Sequence, residues 1–132
     1  MSRILWQPSE EKIKATNMYR FMDLVNSRFQ KEFTKYEHLY HWSVENIPDF
    51  WGVMWEFAGI RSSSPYERVI DDVNKMPGAR WFPGARLNFA ENLLRFRDEH
   101  TALVFHGEDL ETRSMTYAEL YEEVSRLFQY LR

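Results

Sequence analysis

The segment from Thr116 to Arg132 constrains this chain most. Tyr117, Leu120, Tyr121, Val124, Leu127, Phe128 and Leu131 recur at the three-and-four spacing of one helical face. Thr116 followed by Glu119 is a capping-box pattern that starts the helix there. Full burial of such a stripe is worth on the order of 10–20 kcal/mol gross, before conformational entropy is subtracted. A face of that size needs a large surface to pack on. The pattern is still running at Arg132, with no C-terminal cap, so a truncated longer chain is the expectation.

The rest of the chain reads as short, mostly helical elements. Ser9 ahead of Glu10 and Glu11 is a favourable helix start, since an oxygen cap and acids both suit the N-terminal dipole. Met18, Phe21, Met22, Val25, Phe29 and Phe33 then share one helical face, and Phe33-Thr34-Lys35-Tyr36 interrupts it. Tyr36, Leu39 and Tyr40 make a short further turn. A new helix is expected around Asn46-Ile47-Pro48, with apolar face Trp51, Met54, Trp55 and Ala58 and with Gly59 as a left-handed cap. Val69 and Ile70 lend β character to Tyr66–Val73 after the loop Arg61–Pro65. Two Pro-Gly pairs make Met76–Arg86 irregular. Asn88 with Glu91 caps a helix from Phe89 to about Arg97. Thr101–His106 is a short apolar strand that reads as buried on both sides, Gly107-Glu108-Asp109 its turn, and Thr112–Met115 the second arm of a hairpin. The fold class is therefore α+β and mainly helical.

Five clusters are candidates for chemistry. Residues 77–86 repeat Pro-Gly-Ala-Arg, as Pro77 to Arg80 and Pro83 to Arg86, around Trp81-Phe82. Glycine amides and arginines suit an anion, although a nucleotide P-loop has other spacing and ends in Lys-Ser/Thr. The same residues also make two tight turns whose Arg groups bond internally. His38 and His41 with Glu45 have a permissible metal spacing on a helix, but no convincing third and fourth ligands, which favours surface or interface histidines. The acidic pairs Asp71-Asp72, Glu108-Asp109 and Glu122-Glu123 are adjacent residues, whereas acid–base pairs need differing environments across a cleft. Ser62-Ser63-Ser64 has neither a glycine elbow nor an evident base. Tyr40, Trp42, Phe50, Trp51, Trp55 and Phe57 either stack a ring ligand or form core.

With net charge −3 and Arg and Lys dispersed among acids, there is no footprint for nucleic acid. No apolar run is long enough to span a bilayer, and the first residues lack a signal peptide's apolar region. The absence of Cys removes thiolate chemistry and suits a reducing compartment, so a cytoplasmic protein is expected, without nucleic-acid or membrane partners. An aromatic share of 17% points to bulky packing, either inside this chain or under further protein.

Trp81-Phe82-Pro83-Gly84-Ala85-Arg86-Leu87-Asn88-Phe89-Ala90-Glu91-Asn92 resembles a signature of acetoacetyl-CoA synthetases. Trp6-Gln7-Pro8-Ser9, Leu39 to Glu45, and Phe50-Trp51 resemble the same family. Met115-Thr116-Tyr117-Ala118-Glu119-Leu120 is similar to the start of the AMP-binding domain across the adenylate-forming superfamily, a less specific likeness. Acetyl-CoA synthetases carry a Gly-Gly variant in place of Gly84-Ala85, which favours the acetoacetyl branch. The resemblance implies a parent acetoacetate–CoA ligase using ATP, Mg and CoA. An acyl-adenylate forms with release of pyrophosphate, and CoA then displaces AMP after a C-terminal domain rotates. It further implies a helical cap segment over 1–100 and the start of the AMP-binding domain over 101–132, hairpin plus first helix. The family's phosphate loop, adenine motif, hinge acid and catalytic Lys have no match between Met1 and Arg132, and Ser62-Ser63-Ser64 lacks the following Gly-Thr and Lys. No catalytic, cofactor-binding or metal residue is therefore assigned. The expected role is structural capping, with the remainder of the enzyme's own chain as partner, and this chain alone is expected to be inactive. Self-association through exposed apolar faces is the other cover for those faces. The alternatives are an independent interaction or anion-binding module centred on residues 77–86, or a parent specific for acetate or another short acyl acid.

Overall fold

The computed structural model describes residues 6–108 and 111–132. The expected turn residue Asp109 and the chain start before Trp6 lie outside the described residues. The chain forms two compact units, one of residues 1–60 and 64–85, the other of residues 61–63 and 86–132.

The first unit holds four helices: α1 (Glu10–Lys14), α2 (Asn17–Phe29), α3 (Tyr36–Glu45) and α4 (Ile47–Phe57). Ser9 caps α1 as its sequence suggests. Thr16 both ends that helix and begins the next: its hydroxyl donates to Ile13 O at 2.7 Å and accepts from Tyr19 N at 3.1 Å. Phe21, Met22 and Val25 from α2 meet Leu39 and Trp42 from α3 and Val53 from α4 in one buried cluster.

Three helical expectations need correcting. Phe33 reaches the core from a loop and not from the face of α2, which ends at Phe29 with Gln30 left-handed at φ 52°. Asn26 makes this possible: its amide donates to Phe33 O at 2.9 Å and its oxygen accepts from Phe33 N at 2.8 Å. That clamp returns Phe33 to within 6.3 Å of the Trp42 ring. The segment after it is a full ten-residue helix, where only a short turn was expected. The inward face of α4 is Phe50, Val53 and Met54, with Val53 the buried residue. Trp51 and Trp55 point instead to the segment after the helix, Trp51 onto Trp81 and Trp55 onto Tyr66 and Phe82. A helix flanked by two apolar surfaces carries two stripes, which a single-face reading merges. Gly59 is left-handed at φ 60°, as expected of the residue after this helix.

Tyr66–Val73 does not form a strand. It runs beside residues 80–83 through Glu67 N to Pro83 O, Phe82 N to Val69 O and Asp71 N to Arg80 O, with a single bridge between Ile70 and Trp81. Pro83 has no N–H to give, and Phe82 at φ 47° leaves the β region, so the ladder cannot extend.

In the second unit α5 (Phe89–Leu93) begins at Asn88, whose side chain accepts from Glu91 N at 3.2 Å. It stops four residues short of the expected Arg97. The chain leaves the helix and supplies two carbonyls to the start of α6, Asp98 O to Ala118 N and His100 O to Tyr117 N, both at 3.0 Å. The hairpin β1 (Thr101–His106) and β2 (Thr112–Thr116) is antiparallel, with a register shift between Thr101 and Leu103. The capping box opens α6 (Tyr117–Tyr130) with both reciprocal bonds present. No residue of α6 is buried, and β1 is exposed along most of its length, so its expected two-sided burial is not met within this chain.

Candidate functional site

The Pro-Gly-Ala-Arg pair was the strongest sequence candidate for a ligand, and the amides of Arg80 and Ala85 within it are engaged by the protein itself. Asp71 Oδ1 accepts from Arg80 N and from Asp72 N, each at 2.8 Å. These bonds, the Arg80 one foremost, hold the Asp71 carboxyl below the usual carboxylate range. The Arg80 amide therefore already holds an anion, the carboxylate of Asp71 from the neighbouring segment. Ala85 N closes the second turn on Phe82 O at 3.1 Å. Gly84 sits at φ 89°, and a Cβ there would lie 3.1 Å from Glu67 Cγ and 3.3 Å from Glu67 Oε1. A carboxylate over that glycine opposes a second anion by like-charge repulsion. Gly78, at φ 98°, serves the first turn. In the other unit, Arg86 contributes its carbonyl, which takes the Ser63 amide at 2.8 Å and the Ser63 hydroxyl at 3.2 Å.

His38, His41 and Glu45 do come to one place. They line an open depression of about 490 Å³ with Lys31, Glu32 and Asn46. Yet among the described residues no three His, Asp or Glu side chains converge as metal ligands. His100 pairs with Asp98 at 3.0 Å, and His106 Nδ1 lies 3.0 Å from Thr112 Oγ1. The serine run offers no nucleophile–base contact, because the Ser63 hydroxyl is spent on a carbonyl. Glu122 and Glu123 both meet Arg126 on the exposed side of α6, a solvated network. Asp72 accepts from Asn74 N in a local turn. Glu108 is exposed, and its neighbour Asp109 lies outside the described residues.

The six clustered aromatics do not form a platform for a ring ligand. Trp42 and Phe50 pack into the helical core, 6.5 Å apart. Phe57 meets Phe21 edge-on at 5.2 Å, and Tyr40 stacks on Tyr36. Trp51 and Trp55 hold the segment carrying Trp81 and Phe82, with the Trp55 and Phe82 rings 4.5 Å apart. Sequence reasoning passed over the polar clamps. Asn26 holds Phe33. Asn92 exchanges two 2.8 Å bonds with the backbone of Arg61, and Asp71 anchors Arg80. Asp71 gave the usual signal of an acid in a loop, whereas Asn26 and Asn92 sit inside α2 and α5 and gave none.

The family described as acetyl-coenzyme A synthetase N-terminus matches residues 36–93. An acetoacetyl-coenzyme A synthetase of Rhizobium meliloti (strain 1021) is 42% identical over 130 residues, covering 98% of this chain and 20% of that protein. A malonamoyl-CoA synthetase of Penicillium aethiopicum is 38% identical over 130 residues, covering 93% of this chain and 18% of that protein. The solved acetoacetyl-CoA synthetase from Streptomyces lividans superposes with TM-score 0.83 at 38% identity, over 99% of this chain and 21% of that one. The chain thus spans about a fifth of the length of the relatives it matches.

Proposed function

This chain belongs with the N-terminal segments of acetoacetyl-CoA synthetases, and from that premise we propose that it is the non-catalytic front part of an acetoacetate–CoA ligase. Residues 1–100 are its helical cap, and residues 101–132 begin the AMP-binding domain. ATP, Mg and CoA are held by other parts of the ligase, in the cytoplasm. Among the described residues no helix is long and apolar enough to cross a membrane.

One observation carries this reading: the near-complete overlap of the chain with a fifth of a solved acetoacetyl-CoA synthetase. The self-bound Asp71 loop supports it, because the turn signature serves packing and needs no ligand. The apolar stripe of α6 is the surface for the remainder of the ligase chain. The test is pyrophosphate release from ATP and acetoacetate. A full-length ligase carrying this segment is expected to turn over, and the 132-residue chain is expected to give no rate above background. A rate that scales with the concentration of the pure chain overturns the non-catalytic assignment.

A second reading concerns the acid. The malonamoyl-CoA synthetase, at 38% identity, falls between acetoacetyl relatives at 42% and 36%. Acyl choice is therefore a matter for residues outside this segment, and comparing acetoacetate, acetate and malonamate in the full-length enzyme decides it.

A further inference from the structure

The second unit contains a depression of about 270 Å³ to which Arg61, Arg97, Tyr121, Ala90, Leu94 and Glu91 contribute. Drug-sized ligands take pockets of about 300–1,000 Å³, so an occupant here is small. Local bonding explains why two guanidiniums meet there. Arg61 is fixed by its backbone, whose N–H and C=O each bond the Asn92 side chain at 2.8 Å, so its own side chain is left for other use. Arg97 lies over the Tyr121 ring, its guanidinium carbon 3.7 Å from the ring centroid. That contact occupies one flat face of the group and leaves its in-plane N–H donors.

Among the described residues neither Arg61 nor Arg97 enters an ion pair, unlike Arg28, Arg113 and Arg126. Glu91 lines the same depression and pairs with neither. Two guanidiniums against one carboxylate leave a single net positive charge on the lining, which suits a monoanion better than a dianion. A guanidinium fork matches a planar carboxylate in bidentate geometry. Buried Leu94, with Ala90 and the Tyr121 ring, supplies apolar surface beside those donors.

We propose that this depression binds a small monocarboxylate with a short alkyl tail, the carboxylate on Arg61 and Arg97 and the tail against Leu94 and Ala90. The site is separate from the turn signature, where the Arg80 and Ala85 amides are taken by Asp71 and Phe82. It also stands apart from the ligase reading, because every group it uses lies in this chain.

Arginine-selective labelling with phenylglyoxal, read peptide by peptide in mass spectrometry, tests the site on this chain and on a full-length protein carrying it. The probes are n-butyrate, its neutral isostere butyramide, and inorganic phosphate, all at constant ionic strength. Butyrate at about ten times its dissociation constant should slow labelling of Arg61 and Arg97 about tenfold, since only free sites react. Arg126, held by Glu122 and Glu123, should keep its rate. Butyramide should protect neither arginine, and phosphate should protect them less than butyrate. Arg61→Met should weaken the protection of Arg97 about tenfold or more. Arg97→Lys, which keeps the charge and loses the fork, should likewise weaken that of Arg61. No saturable protection in the full-length protein overturns the proposal. So does resistance of both arginines there without any added acid, because the remainder of that chain then fills the depression. Equal slowing of Arg126, or equal protection by butyramide, overturns specific carboxylate binding, and stronger protection by phosphate overturns the monoanion. Ligase activity does not enter the readout, so a failure here leaves the ligase reading standing.

Discussion

In the first unit α2 carries Phe21, Met22 and Val25 into a core that leaves them 2%, 6% and 0% exposed; in the second, the equally regular stripe of α6 leaves Leu127, Phe128 and Leu131 58%, 58% and 74% exposed. Both helices have the period of an amphipathic helix and both are capped by a threonine hydroxyl. The difference lies in what faces them. α2 meets α3 and α4, whereas α6 rests on a two-stranded hairpin and the short segment before it, with Phe96 against Tyr117 and Arg97 over Tyr121. Helical period therefore identifies the face that wants cover, and tertiary context decides whether the same stretch of chain provides it.

The largest expected effect tests that contrast directly. Trp42→Ala opens a cavity among Phe29, Phe33 and Phe50 and should cost about 3–5 kcal/mol in urea unfolding of this chain. Leu127→Ala should cost less than about 0.5 kcal/mol in the same chain, as exposed substitutions do. In a full-length ligase Leu127→Ala should rise to about 2 kcal/mol or more. Equal costs of the two substitutions in this chain would break the distinction between the units.

Next in size is Gly84→Val. The residue would have to hold φ 89° with a β-branched side chain and push back Glu67, 3.1 Å from the new Cβ. We expect a loss of about 1–3 kcal/mol, read as a lower melting temperature, with no specific loss of CoA affinity in the full-length enzyme. An unchanged melting temperature with weakened CoA binding would return residues 77–86 to the anion-site reading.

How far the sequence carried can be seen in the same residues. Ser9, Asn88 and the Thr116–Glu119 box were readable because a cap is settled within four residues of chain. The hairpin was readable for the same reason, and so was the family, because Trp81 to Asn92 is one contiguous run. The inward face of α4 was not readable. It depends on where residues 66–82 return, which no local pattern of Trp51 or Trp55 reveals. Phe33 fell at helical spacing, yet reaches the core through Asn26, seven residues earlier. At residues 77–86 glycine and arginine looked the same for a ligand loop and a self-bound one. The carboxylates that separate the two, Asp71 and Glu67, lie outside the repeat.

Exposed α6 also predicts a concentration effect. A contiguous apolar stripe of this size exceeds what monomers usually leave open. We expect this chain to self-associate in size-exclusion with light scattering, or to show fast hydrogen exchange over residues 117–132 while α2 stays protected. A monomer at high concentration with α6 as protected as α2 would mark the second unit as self-sufficient.

The smallest expected effect compares one carboxylate from each unit. Asp71 is held below the usual carboxylate range chiefly by the Arg80 amide, and Asp98 chiefly by the His100 amide, with the His100 side chain adding to it. A folded-state pKa below the unfolded one means the folded state binds fewer protons in that window. The resulting stability is present at neutral pH and is lost as pH falls from the ordinary carboxylate pKa through the depressed one. Both groups are solvent-exposed, so each contribution is small and screened by salt. The partners differ, however. Asp71 is held by backbone amides alone, whereas Asp98 also meets the His100 side chain at 3.0 Å. Asp71→Asn should flatten the acid limb of the melting curve of the first unit and leave the region between pH 5 and 8 unchanged. Asp98→Asn should flatten the same limb for the second unit and also speed exchange in the first turn of α6, because the Asp98 carboxylate holds the His100 amide at 3.1 Å and Asp98 O and His100 O receive the first amides of that helix. Finding faster exchange in the first turn of α6 with Asp71→Asn and not with Asp98→Asn would show that the two loops are anchored differently from the geometry described.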